Sequence, residues 1–277
     1  MITSSSLFSI ITFIYGLAVL LYTSAWVFKK DLPGKLATAA TITAAAGNLI
    51  GIGLRWIESY QMGYGHAPLS NLYESLVFFA FCIAALYLFL EFRYKFRIIG
   101  MVASPIPFLA MAYASLPKVN SAIEPLIPAL QSNWLIAHVI TCFIGYAGFA
   151  VAFGISILYF IKSGRSELND GLTGRIPHVD MLDELTHQLV MFGFLFLSVG
   201  IITGAVWANQ AWGRYWGWDP KETWSLITWL IYASLLHARL MRGWSGKRIA
   251  VLSCAGFVAV IFTYFGVNLL PGLHSYQ

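Results

Sequence analysis

The sequence predicts an all-α, polytopic integral membrane bundle of about eight transmembrane helices, and three observations carry that reading. Of the 277 residues, 58% are hydrophobic and only 10% are charged, against roughly 25% charged in a soluble globular domain. The apolar residues collect in stretches long enough to cross a bilayer, which takes about 20 residues per helix. Period-2 alternation of the kind outer-membrane strands need is absent, so the backbone polar groups must be satisfied within helices. With so few charges the chain cannot dress the surface of a water-soluble enzyme. Its formal charge of +5 is therefore read as membrane topology and not as a nucleic-acid footprint, so no nucleic-acid partner is expected.

In chain order the expected spans are 7–28, 36–57, 70–92, 98–116, 134–161, 187–207, 225–242 and 249–268. The first is long and has no basic residue before it or small-residue cleavage site after it, so it reads as a retained helix and not a cleaved signal. The 17 Lys and Arg divide unevenly between the connections. Thirteen follow spans 1, 3, 5 and 7: Lys29, Lys30, Lys35, Arg93, Lys95, Arg97, Lys162, Arg165, Arg175, Arg239, Arg242, Lys247 and Arg248. Four stand on the other side: Arg55, Lys118, Arg214 and Lys221. Basic loops stay in the cytoplasm or its equivalent, which puts both termini and the segments 58–69, 117–133, 208–224 and 269–277 on the outer face. No connection is long enough for a separate soluble domain, and no fixed-period repeat or low-complexity tract is present. Residues 1–277 are thus expected to form a single membrane domain with an outer loop at 208–224. Cys82, Cys142 and Cys254 all fall within spans, with no Cys-x-x-Cys pair among them. They read as small buried hydrophobes.

The outer loop between spans 6 and 7 is where the composition becomes informative. Six of the ten tryptophans lie between Trp207 and Trp229, where the chain-wide rate would place about one. An aromatic belt accounts for one or two Trp at a helix end, but not for Trp212, Trp216 and Trp218 alternating with Gly213, Tyr215 and Gly217. Glycines let a flat ligand approach the backbone, and aromatic faces stack on planar π-systems. A porphyrin is flat, apolar and carries two carboxylates at one edge, and Arg214 and Lys221 are the nearby cations to meet them. Asp219-Pro220-Lys221-Glu222 also has a local reading as a capped helix entry.

Imidazole ligates haem iron through one neutral nitrogen. His138, early in span 5, and His274, beyond span 8, are both expected on the outer face. His237 lies 13 residues after Trp224, about 20 Å down its helix and within the membrane. His66 reads as a loop residue, and His178 and His187 as solvated or structural.

These residues resemble a known family. The run Trp218-Asp219-Pro220-Lys221-Glu222-Thr223-Trp224 is similar to the tryptophan-rich "WWD" signature of haem-handling proteins in cytochrome c biogenesis, in its CcsA/ResC form. The likeness extends through Pro68–Ser75, Gly204–Ala208, Leu236–Arg239, Gly266–Leu270 and Gly272–Tyr276. It implies a protein that works with a CcsB/ResB-type membrane partner to move haem b across the membrane. The haem is presented on the outer loop and attached to an apocytochrome c Cys-x-x-Cys-His segment, so the chain would be one component of a cytochrome c synthase complex. By this resemblance His138 and His274 are the outer iron ligands, and His237 is the membrane-embedded ligand that receives haem earlier. The partner is then a separate polypeptide, and the membrane is a bacterial cytoplasmic membrane or a thylakoid. Two competing readings remain: a CcmC-like haem presenter without attachment activity, and a secondary transporter of a small solute.

Overall fold

The computed structural model describes residues 3–164 and 172–269. Among these residues there are helices, turns and loops and no strand. Six helices are long and apolar enough to cross a membrane: α1 (Ser4–Val27), α2 (Asp31–Gln61), α3 (Leu72–Tyr94), α6 (Asn133–Ser163), α7 (Val179–Trp212) and α9 (Lys247–Tyr264). The chain is an integral membrane protein. Two of the eight expected spans are helical but fall outside that set. The stretch 98–116 divides into α4 (Ile99–Ala103) and α5 (Pro105–Ala114), because Pro105 and Pro107 have no amide hydrogen to donate back to the preceding turn. The helix α8 (Pro220–Arg242) is long enough but carries polar groups along its length, among them Ser225, Thr228, Ser234, His237 and Arg239.

Backbone contacts divide the chain into two compact units. The first runs through Ile127 and includes the short 3₁₀ turn Leu172–Arg175. Its core is where α1, α2 and α3 meet. Gly47 and Gly51 let α2 close on Ile11 and Phe8 of α1, since a Cβ at Gly51 would stand 2.5 Å from the Phe8 ring. Two buried carboxylates of α3 organise the polar groups. Glu74 takes the Arg55 guanidinium at 2.8 Å, and Arg55 in turn donates to the carbonyls of Ser121 and Ala122. Glu91 accepts from the hydroxyls of Tyr22, Thr38 and Tyr87 and from Arg97. A carboxylate buried in this way persists because every lone pair is engaged. His66 is buried with its ring nitrogens 3.0 and 2.9 Å from the carbonyl oxygens of Ala67 and Glu124, in keeping with a loop role.

The second unit holds α6, α7, α8 and α9 with the 3₁₀ turns Pro128–Leu130 and Gly266–Leu269. Its organising pair is α6 and α7. A Cβ at Gly145 would meet the Gly193 carbonyl oxygen at 2.9 Å, and one at Gly148 the Leu189 carbonyl oxygen at 3.1 Å. Small residues therefore bring the two backbones into contact, the usual means of helix association in membranes. Tyr232 of α8 stacks on Phe149 of α6 with ring centroids 3.6 Å apart. Where α8 ends, Arg239 bridges to Asp183 and Glu184 of α7, and Asp183 also accepts from the amide of Gly246.

Candidate functional site

The site lies in the second unit, where α6 begins, α7 ends and α8 begins. His138 is in the second turn of α6, with its Nδ1 2.7 Å from the carbonyl oxygen of Gly200. A carbonyl oxygen only accepts, so Nδ1 carries the proton and the lone pair resides on Nε2. That close approach depends on Gly204, where a Cβ would stand 2.6 Å from Nδ1. The His138 ring stacks on Trp207 at 5.9 Å and 24°. Trp207 is anchored by its indole N–H to the Ala129 carbonyl, and Trp212 meets it edge-on at 5.0 Å. Gly200, Gly204 and Trp207 recur at i, i+4 and i+7, so one face of α7 supplies the whole seat for His138.

The connection from α7 to α8 has its own scaffold. Gly213 takes a left-handed φ of +72° and ends α7. Asp219 and Glu222 form the expected capping box, and the Glu222 carboxylate reaches further to accept from the amide of Gly217 at 2.7 Å. The Arg214 guanidinium lies against Gly217, within 3.0 Å of where a Cβ would be. Trp216 and Trp218 pair edge-to-face at 5.7 Å. Trp218 has a left-handed φ of +57° and is 70% exposed; Tyr215 is 60% exposed. A bulky residue held in that backbone region is uncommon. Lys221 lies in the first turn of α8, where burial pushes its ammonium below the usual lysine range and Asp219 opposes the shift.

His237 is elsewhere, about 20 Å along α8 from Trp224. It lines a groove of about 490 Å³ with Leu230, Ser234, Arg242, Trp244 and Leu252. His178 is exposed and pairs with Asp180, while His187 is buried. His274 lies outside the described residues. The structure thus brings His138, Trp207 and Trp212 together, pairs Trp216 with Trp218, and keeps His237 apart. Trp207 was not among the residues expected to form the site. Its signal was the α7 face it shares with Gly200 and Gly204, legible only once His138 is known to dock there.

This helical membrane protein, with its aromatic seat around His138, falls in the class of cytochrome c assembly proteins. Residues 69–274 match the family model described as Cytochrome C assembly protein, and the chain belongs to that family. Among its curated relatives are cytochrome c biogenesis proteins of the CcsA type. The chain is 45% identical to the CcsA of Chlamydomonas reinhardtii over 80% of its own length and 63% of that protein's. It is 42% identical to that of Guillardia theta over 86% and 84%, and 37% identical to that of Porphyra purpurea over 97% and 96%. Among solved structures, the cytochrome c haem lyase CcmF superposes with a TM-score of 0.71 at 18% identity, covering 97% of this chain and 51% of that one. That likeness is one of fold. The chain spans less than two thirds of the Chlamydomonas relative and about half of CcmF.

Proposed function

We propose that this chain handles haem b as a transported substrate for cytochrome c maturation, binding its iron on the outer face through His138 and His274. The observation that carries the reading is the His138 tautomer. Donation from Nδ1 to Gly200 leaves Nε2 as the coordinating nitrogen and fixes the ring plane, the arrangement that metal-bound histidines use. The neighbouring groups suit the same cargo. Trp212, Tyr215, Trp216 and Trp218 offer aromatic faces to a porphyrin, and Arg214 and Lys221 offer charge to its propionates.

In this reading the membrane is a bacterial cytoplasmic membrane or a thylakoid, with the tryptophan loop on the periplasmic or lumenal side. Haem first meets His237, whose opposing ligand comes from a CcsB/ResB-type partner, and then passes to the outer loop. There the vinyl groups face an apocytochrome c Cys-x-x-Cys-His segment. Each cysteine S–H adds across one vinyl C=C, and the incoming histidine displaces an outer ligand, so product release is built into ligand exchange. The chain contributes mainly positioning, as one part of a haem-attachment complex. The test is the absorption spectrum of the purified chain, co-expressed with its partner. His138→Ala and His274→Ala are expected to lose the outer haem and shift the Soret band. Full haem content with an unchanged spectrum in both variants would remove the assignment. Normal haem retention without thioether formation in the presence of the partner would instead favour a presenter that hands haem on.

A further inference from the structure

The first unit carries a second concavity, of about 320 Å³, at the end where α1 turns into α2 and α3 turns into α4. Four cationic side chains from separate stretches converge on it: Lys30, Lys95, Arg97 and Arg175. Against them stand Asp31 in the lining and Glu91 just beneath, which Arg97 contacts at 3.2 Å. Four cations facing two carboxylates leave an excess of two positive charges. The backbone is shaped around this feature. Lys29 and Lys95 have left-handed φ values of 55° and 62°, and with Trp218 they are the only non-glycine residues in that region among those described. Lys95 takes that conformation as the C-cap of α3, and Lys29 takes it just past the end of α1, so both lysines stand at helix ends beside the hollow. Arg175 secures the α1–α2 turn by donating to the carbonyls of Ala25 and Lys29. Gly34 lets the Arg97 stem cross α2, where a Cβ would meet Cδ at 3.3 Å. The α2 N-cap, Lys30, makes no side-chain cap hydrogen bond, which leaves its ammonium to the hollow.

We infer that this basic hollow binds the phosphodiester headgroup of an anionic membrane lipid. Its position at the ends of apolar helices is the depth at which headgroups lie, and Trp26 in its wall is a residue suited to that interface. The excess charge selects anionic over zwitterionic lipid. The inference is independent of the haem reading, since no residue is shared.

The test is retention of phosphatidylglycerol against phosphatidylcholine by the purified full chain, read by native mass spectrometry. Lys30 and Lys95 are exposed, so the double variant Lys30→Gln, Lys95→Gln leaves the contact of Arg97 with the buried Glu91 in place. Phosphatidylglycerol affinity is expected to fall about fivefold per lysine, or about 25-fold for the pair. Lys30→Arg, Lys95→Arg is expected to keep it. Equal retention of the two lipids by the unaltered chain, or an undiminished affinity in the glutamine variant, would overturn the inference. Displacement of phosphatidylglycerol by equimolar inorganic phosphate would assign the hollow to a soluble anion instead and overturn the lipid. If the glutamine variant does not purify, the salt dependence of the unaltered chain decides. Retention must weaken as ionic strength rises, and indifference to salt would count against the site.

Discussion

His138 shows how much chemistry one carbonyl can fix. Because Gly200 accepts from Nδ1, the lone pair is left on Nε2, the nitrogen through which the proposed coordination would run. The arrangement is sensitive to the smallest change at its neighbour. A methyl group at residue 204 would stand 2.6 Å from Nδ1, so Gly204→Ala is expected to push the ring off Gly200 and Trp207. Haem content of the purified protein should fall and the Soret band should move, although no ligand is removed. A spectrum identical to that of the unaltered chain would separate the tautomer from haem binding. Trp218 makes the opposite kind of prediction. Its left-handed backbone costs about 1–3 kcal/mol, and glycine takes that conformation without the penalty, at an entropic cost of about 0.5–1 kcal/mol. Trp218→Gly should therefore leave thermal stability in detergent unchanged or raised while haem retention drops. A loss of stability together with haem would make the indole a packing residue instead.

At the scale of elements, the tryptophan loop depends on Glu222. That carboxylate accepts from the amides of Gly217 and Asp219, so it closes the α8 N-terminus and folds the preceding loop with one group. Glu222→Ala is expected to cost about 1 kcal/mol of stability. The larger effect should be local, with faster proteolysis between α7 and α8 and a red-shifted tryptophan emission; an unaltered cleavage pattern would show that the loop holds its shape without the cap. The α6–α7 contact is less forgiving. Leucine at Gly193 would drive into the Phe149 ring and the Gly145 carbonyl oxygen, both under 3.0 Å from a Cβ. Overpacking of this kind costs about 1–3 kcal/mol or more, and Gly193→Leu should lower the melting temperature and release His138 as well. Much of this was legible in advance. The capping box could be read because its four residues are adjacent in sequence and its logic is local. The break between α4 and α5 had its signal in Pro105 and Pro107, yet a hydropathy window sums across prolines and reports one span. The seat of His138 had no local signal at all, since Gly200 and Trp207 acquire meaning only through a residue that, for Gly200, lies 62 positions away in sequence.

For the whole molecule, the uneven distribution of Lys and Arg becomes a claim about which helix ends face which compartment, and each unit tests it by itself. In the second unit, α8 runs from Pro220 to Arg242, about 34 Å at 1.5 Å per residue, enough to cross a hydrocarbon core of about 30 Å. Its polar residues explain why hydropathy alone does not select it, and its last turn carries Arg239 and Arg242. Tyr215 before it and Met241 near its end are both well exposed, at 60% and 72%. If α8 spans with its basic end inward, Tyr215→Cys should react with a membrane-impermeant maleimide in intact cells or right-side-out vesicles. Met241→Cys should react only after the membrane is opened. In the first unit, Met62 follows α2 and Leu32 opens it, with exposures of 56% and 66%. The same logic makes Met62→Cys accessible from outside and Leu32→Cys accessible only after permeabilisation. Labelling of Tyr215→Cys and Met241→Cys from the same side would mean that α8 lies along the interface. His237 would then sit at the headgroup level, too shallow to receive haem within the membrane. Reversal of both pairs together would keep the helices in place and turn the tryptophan loop toward the cytoplasm, where it could not meet an apocytochrome on the far side.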